Sequence, residues 1–318
     1  MEQQEAILHD PSASKALELA TTKLLSFSDM CIELGFGMRQ LNAYLHQVQL
    51  LQSGAPYASL FLPEKKEGTR ASILTFESPS DVEGRLIEGE DVLASSNTPP
   101  GSIAVIKLHG VMASEDDACS YGVGYQVAQL RKAYGNPQIE AVILDVNSGG
   151  GEVTAMNMMT SALSERNKPV IGFGHFVASA AYGSIAHTDE VVAASPLSSF
   201  GSIGAMMAID MRAVDFMRKH VRFFYGENAP EKNAGLRGAM ADDFSHIQNE
   251  VNLYTDKFHE AVAAVRPLSG SDKEKAKTLS GAMFIASDAK KRGLIDGIGN
   301  MSYAVKRARF WAQKKQAK

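Results

Sequence analysis

Cysteine is almost missing from this 318-residue sequence: Cys31 and Cys119 are the two present. They stand far apart and lack metal-ligand spacing, which excludes a disulfide framework and gives no sign of a zinc site. Such sparse use fits a reducing compartment. A charge imbalance is missing as well. The net charge of -4 gives no global reason to expect nucleic acid or an anionic membrane as partner. No apolar run approaches the roughly 18–20 residues needed to span a bilayer, and the longest candidate, "PVIGFGHFVASAAYGSIAH", is interrupted by glycines and two histidines. The opening "MEQQEAILHDPSASK" is acidic and polar, without the basic-then-apolar order of a secretory signal. A soluble protein of the cytoplasm is the expectation. With 45% hydrophobic and 21% charged residues, the chain can bury a sizeable core.

Apolar residues at three-to-four spacing predict helices over residues 1–53, with Ser12 or Ser14 as N-cap. A stretch rich in Pro, Ser, Gly and charge follows. The expected organisation is a helical N-terminal arm over 1–76, a linker over 77–100, one domain over 101–300, and a basic helix or tail over 301–318. Within the domain the pattern alternates. "SIAVIKLHGVM", "IEAVILDVN", "KPVIGFG", "EVVAAS" and "VRFFYG" read as strands, and "GYQVAQLRKAYG", "EVTAMNMMTSALSER" and "ASAAYGSIAH" as helices. Apolar strands at helix-length intervals predict an α/β fold of βα units around a mainly parallel sheet. A long amphipathic helix is expected in "DDFSHIQNEVNLYTDKFHEAVAAVRPL".

Four places could carry chemistry. In "LDVNSGGGEVTA" three glycines follow a buried strand and precede a helix, so backbone N–H groups could face developing negative charge. It is not a dinucleotide or phosphate-loop pattern, which leaves an oxyanion hole or simply a tight turn. Ser179 follows the next strand, at the carboxyl edge where ligands of parallel sheets collect. On its own neighbours, "FVASAAYGS", it reads as a packing residue on a buried helix. His175 and His187 are near in sequence, yet their spacing gives no assurance that either faces the hydroxyl. "GSIGAMM" around Ser202 is by itself a turn, and Lys232 in "YGENAPEKNAGLRG" by itself a loop lysine.

Taken in order, "IAVIKLHGVM", "DVNSGGGEV", "ASAAY", "GSIGAMM" and "DAKKRGLIDGIG" resemble the signal-peptide peptidase A, or protease IV, family of Ser/Lys proteases over about residues 102–299. The resemblance implies a Clp-protease/crotonase-type fold with Ser179 as nucleophile, Lys232 as general base, and Ser202 helping to hold the lysine. It further implies Gly150, Gly151 and Ala180 at the oxyanion and substrate site, with no metal or cofactor. Lys219 is the fallback for the base. Two departures stand out: Ala180 and Ala181 replace a usual glycine pair, and the lysine loop is slightly long.

Protein or peptide substrates and a homo-oligomeric ring or dome follow from the same resemblance. The extra N-terminal segment, with no membrane anchor, points to the bacteriophage or prophage branch, which processes scaffold or portal proteins in head maturation. The alternatives are a cytosolic peptidase, a catalytically silent assembly protein of the same fold, and a crotonase-like acyl-CoA enzyme. The last would use the glycines without needing both Ser179 and Lys232.

Overall fold

The computed structural model describes residues 30–32 and 71–316, apart from 79, 90 and 117–120, with residues 30–32 and 316 described by their backbone alone. The helices expected over residues 1–53 lie otherwise outside the described residues. The one described piece of that span, Met30–Ile32, is a strand (β1).

The architecture follows from which strands are apolar on both faces. In β4 (Ser102–Met112), β5 (Ile139–Glu152), β6 (Val170–Ala178) and β7 (Glu190–Ala193) most residues are buried, on both faces of the strand. Strands of that kind need cover on both sides, which βα connections supply. Helix α1 (Val123–Gly135) joins β4 to β5, and α2 (Val153–Ser164) joins β5 to β6. The short α3 (Ala180–Ile185) follows β6. The sheet order is β10-β7-β6-β5-β4-β2-β3, where β2 is Ser72–Thr75, β3 is Arg85–Glu88 and β10 is Gly297–Ile298. All pairs from β10 to β4 are parallel, and β2 and β3 add an antiparallel hairpin. This is the mainly parallel α/β sheet read from the sequence.

Alternation along the strands divides the core in two. On one face Ala104, Ile106 and Leu108 of β4 join Val142, Leu144 and Val146 of β5 in the larger cluster, which takes in α1, α2 and α3. On the other face Ile103, Val105, Ala141, Ile143, Ile171 and Phe173 meet Ala304, Val305 and Ala308 of α9 (Met301–Gln316). The basic C-terminal segment is thus a helix with an apolar stripe seated on the sheet, flanked by Arg307 and Arg309, which pair with Glu190 and Glu140.

Beyond β7 the chain forms β8 (Ser199–Gly201), α4 (Met211–His220), α5 (Ala234–Met240) and the long α6 (Ser245–Val265), then α7 (Asp272–Leu279), β9 (Met283–Ile285) and α8 (Ala286–Lys291). The "GLIDG" stretch after α8 is a lock. Asp296 accepts a two-pronged pair from the buried Arg266 guanidinium, 2.9 Å on each arm, and the Val191 N–H at 2.7 Å. Among the described residues no helix is long and apolar enough to cross a membrane.

The structure differs from the sequence reading in three further places. The sheet begins at Ser72 and the linker's Leu93 is fully buried, so a hairpin edge stands where arm and linker were drawn. Every residue of β3 is exposed, which is why its sequence looks like loop. Residues 221–225 form no strand, although "VRFFYG" has strand composition. The three glycines do not make a turn: Gly149, Gly150 and Gly151 continue β5 up to α2.

Candidate active site

Strand β6 ends in a conformation that ordinary residues avoid. Ser179 has φ 54° and ψ −126°, close to the first central position of a type II′ turn at about 60° and about −120°, where glycine is usual. A non-glycine residue there is strained, and such strain persists only where surrounding structure imposes it. Here the imposing contacts are visible. The Ser179 N–H donates to the Gly201 carbonyl at 2.9 Å, and the Ser179 carbonyl accepts from the Gly183 N–H at 2.9 Å. Ser179 is 1% exposed, and no hydrogen bond to another described residue ties down its hydroxyl.

The small residues that follow seat α3. A Cβ at Gly183 would lie 2.4 Å from Met156 Sδ and 2.8 Å from Phe258 Cε2, so α2 and α6 close on this helix only because the position is glycine. Ala180 and Ala181 are fully buried members of the larger core cluster. Their methyl groups occupy core volume, which is the structural meaning of alanine where the resembling family has glycine. Tyr182 donates its hydroxyl to the Leu294 carbonyl at 2.9 Å, and burial pushes the phenol up, holding it as a neutral donor.

Ser202 is brought beside this turn by sheet register. Strands β6 and β8 are parallel with Ala178 opposite Gly201, so Ser179 and Ser202 leave adjacent strands at the same level. Ser202 also has positive φ, 53°, and its N–H donates to the Ala282 carbonyl at 3.0 Å. Gly201 cannot be larger: φ is 141° and a Cβ would stand 2.2 Å from the Ala282 oxygen.

The glycine segment lies on the neighbouring strand, and bulges shape it. Between Val146 and Ser148 strand β5 advances two residues while β6 advances three, and between His109 and Val111 strand β4 advances two while β5 advances three. The first shift reverses the side-chain alternation of β6: Phe173 points into the α9 core, yet Val177, an even four residues on, belongs to the opposite core. Bulges re-aim strand ends in this way and are common beside active sites. Gly151 is required by close approach, since its Cβ would meet the Met112 carbonyl oxygen at 2.0 Å. The Gly150 N–H donates to Ser148 Oγ at 3.1 Å, and Ser148 in turn donates to the Gly110 carbonyl at 2.6 Å. Glu152 clamps the end of β5 by accepting both the N–H (2.7 Å) and the hydroxyl (2.5 Å) of Ser114.

The sheet therefore gathers Ser179, Ser202, Ala180 and the segment with Gly150 and Gly151 at one carboxyl edge. It does not gather the lysines there. Lys232 is exposed in the loop between α4 and α5, and no described residue forms an ion pair or hydrogen bond with its ammonium. Lys219 is exposed on α4. Neither nearby histidine reaches Ser179: His175 Nε2 lies 3.0 Å from Asp145 Oδ1, and His187 Nδ1 lies 2.8 Å from the Gly183 carbonyl oxygen. Asp145, which sequence reasoning passed over, also has His109 Nε2 at 3.2 Å from Oδ2. One buried carboxylate spanned by histidines from β4 and β6 accounts for His175 without any role at Ser179. Only the register of three strands reveals it.

A model of peptidase family S49 matches residues 162–315. That range contains Ser179, Ser202 and Lys232 and begins after the glycines. Among curated proteins, the chain is similar to Protease 4 of Haemophilus influenzae, with 29% identity over 253 residues that cover 76% of this chain and 41% of that protein. It is similar to Protease 4 of Salmonella typhi, at 28% over 222 residues, 68% of this chain and 35% of that protein. It is also similar to the chloroplastic serine protease SPPA of Arabidopsis thaliana, at 26% over 188 residues, 56% of this chain and 27% of that protein. The chain spans less than half the length of these relatives. The matches thus show a likeness to peptidase family S49 over residues 162–315 and to these proteases over part of their length.

Proposed function

We propose that this chain is a serine endopeptidase in which the Ser179 hydroxyl attacks a peptide carbonyl and Lys232 serves as general base. The observation that carries the reading is the strained turn at Ser179, held against Gly201 at the carboxyl edge of a parallel sheet. A strained strand-to-helix turn presents a nucleophile while the next backbone N–H, here that of Ala180, faces the developing oxyanion. Gly151, and Gly150 once its N–H is released from Ser148 Oγ, are the proposed further oxyanion donors. In the proposed step Oγ bonds to the carbonyl carbon and its proton passes to the lysine amine. The proton then goes to the departing amine as the C–N bond breaks, and water hydrolyses the acyl-enzyme by the reverse path.

A lysine amine can act as base only where burial disfavours the ammonium form. Lys232 is exposed in the single chain, so the reading requires a cover over its loop. The same region carries exposed apolar side chains, Phe224 at 93%, Phe216 at 60% and Leu253 at 56%, a surface suited to a partner. A second copy of the chain is the proposed cover, which makes the active form a homo-oligomer. Processing of phage scaffold or portal proteins is carried as the proposed setting on the strength of the extra N-terminal segment in the sequence. Neighbouring genes for terminase, portal and capsid would test it.

The direct test is a fluorophosphonate probe followed by peptide mass spectrometry. The adduct is expected on Ser179, and Ser179→Ala should abolish both labelling and cleavage of an unfolded protein while leaving thermal unfolding of the fold cooperative. Cleavage by Ser179→Ala at the wild-type rate would overturn the mechanism. A folded protein that never labels would favour the silent assembly protein.

A further inference from the structure

Strand β1 lies where the glycine segment has a free edge. A strand has two hydrogen-bonding edges. Over Gly150 and Gly151 one edge of β5 is taken by β4, through Val111 and Met112. The other is the edge on which β6 pairs with β5 as far as Ser148 opposite Val177. Strand β6 then leaves the sheet at Ala178, where the chain turns at Ser179. Past that point β1 takes over the same edge, antiparallel, with Ile32 opposite Gly150, Cys31 opposite Gly151 and Met30 opposite Glu152. A segment remote in sequence thus adds a strand just beyond the proposed nucleophile.

An open edge of backbone donors and acceptors next to a nucleophile is a place for an extended peptide, bound by strand addition. Glycine at 150 and 151 leaves the edge without side chains, so recognition there is by backbone. The β1 ladder is three residues long, short enough for a longer incoming segment to displace. Resting on the reading of Ser179 as nucleophile, we propose that Met30–Ile32 is a built-in occupant of the peptide-binding edge. An unfolded protein substrate must displace it by pairing antiparallel with Gly150–Glu152, so the N-terminal segment restrains the enzyme from within.

The experiment uses the full chain carrying Cys31→Pro together with Ile32→Pro. Adjacent strand residues point their N–H groups to opposite edges, so one of the two prolines removes a ladder bond in either phase. Hydrogen exchange of amides 149–153 is expected to quicken at least about tenfold, as an opened strand edge requires. KM for an unfolded protein such as casein should fall several-fold with kcat unchanged. A synthetic peptide of residues 27–35 should restore slow exchange in the variant and inhibit it competitively. As a second measurement independent of the prolines, excess unfolded protein added to full-length Ser179→Ala should quicken exchange at residues 30–32 while amides 149–153 stay protected.

Unchanged exchange at 149–153 in a folded variant would overturn the pairing. Quicker exchange with unchanged KM would remove β1 from the substrate path, and a peptide that neither protects nor inhibits would do the same. If Ser179 never takes the fluorophosphonate, the peptidase reading fails separately. Occupancy of the edge is then still decided by exchange and by protection with the peptide.

Discussion

The turn at Ser179 and the loop at Lys232 belong to one chain and are built on opposite terms. Around Ser179 the backbone is committed on every side: to Gly201, to Gly183, and through α3 to a core closed at Gly183 by Met156 and Phe258. Around Lys232 the chain runs exposed from α4 to α5, and residues 221–225 keep strand composition without a strand partner. Within one copy, then, the fold completes the geometry of the proposed nucleophile, and the proposed base still needs a cover from outside. A serine needs only position, whereas a lysine used as a base needs its water removed.

The largest effect is expected at the lysine. Lys232→Ala is expected to lower turnover of an unfolded protein by about 100- to 10,000-fold at neutral pH. Because the side chain is exposed, the same substitution should change stability by less than about 0.5 kcal/mol in urea titration. Full activity in this variant would move the role elsewhere, with Lys219 the first residue to try. Next in size is Gly201→Ala. It forces a Cβ to within 2.2 Å of the Ala282 oxygen at φ 141° and should cost about 3 kcal/mol, with loss of fluorophosphonate labelling as Ser202 and Ser179 shift together. Retained stability and labelling would show that β8 does not set the turn. Smallest is Ser179→Gly. It relieves the positive φ and should raise stability by about 1 kcal/mol after glycine's own entropic cost, read as an upward shift in Tm relative to Ser179→Ala. Equal melting of the two would mean the turn carries no strain.

Much of the sheet was legible because its strands are buried on both faces. "IEAVILDVN" and "VIGFG" need no partner in view to declare themselves, and the helices between them carry apolar stripes. Ser179 drew notice only through remote pieces in order, since its neighbours are small for packing reasons that its own segment does not explain. What the sequence concealed depends on pairing. The exposed β3, the reversal of β6 after Phe173 and the Asp145 bridge between His109 and His175 follow from register, which no single strand encodes. Met30–Ile32 is the sharpest case. Its apolar spacing reads as helix, and it is a strand because the glycine edge offers backbone partners that local propensity cannot foresee.

The seating of α9 on the sheet bears on synthesis. By the time a ribosome has added Ala193 it has made β4 to β7 and the three helices that cover one face of them. The opposite face, with Ile103, Ala141, Ile143 and Phe173, waits for Ala304, Val305 and Ala308. The turn at Ser179 is therefore encoded early but stands on a half-covered sheet until residues 301–316 emerge, so the last segment made is the one that closes the second core.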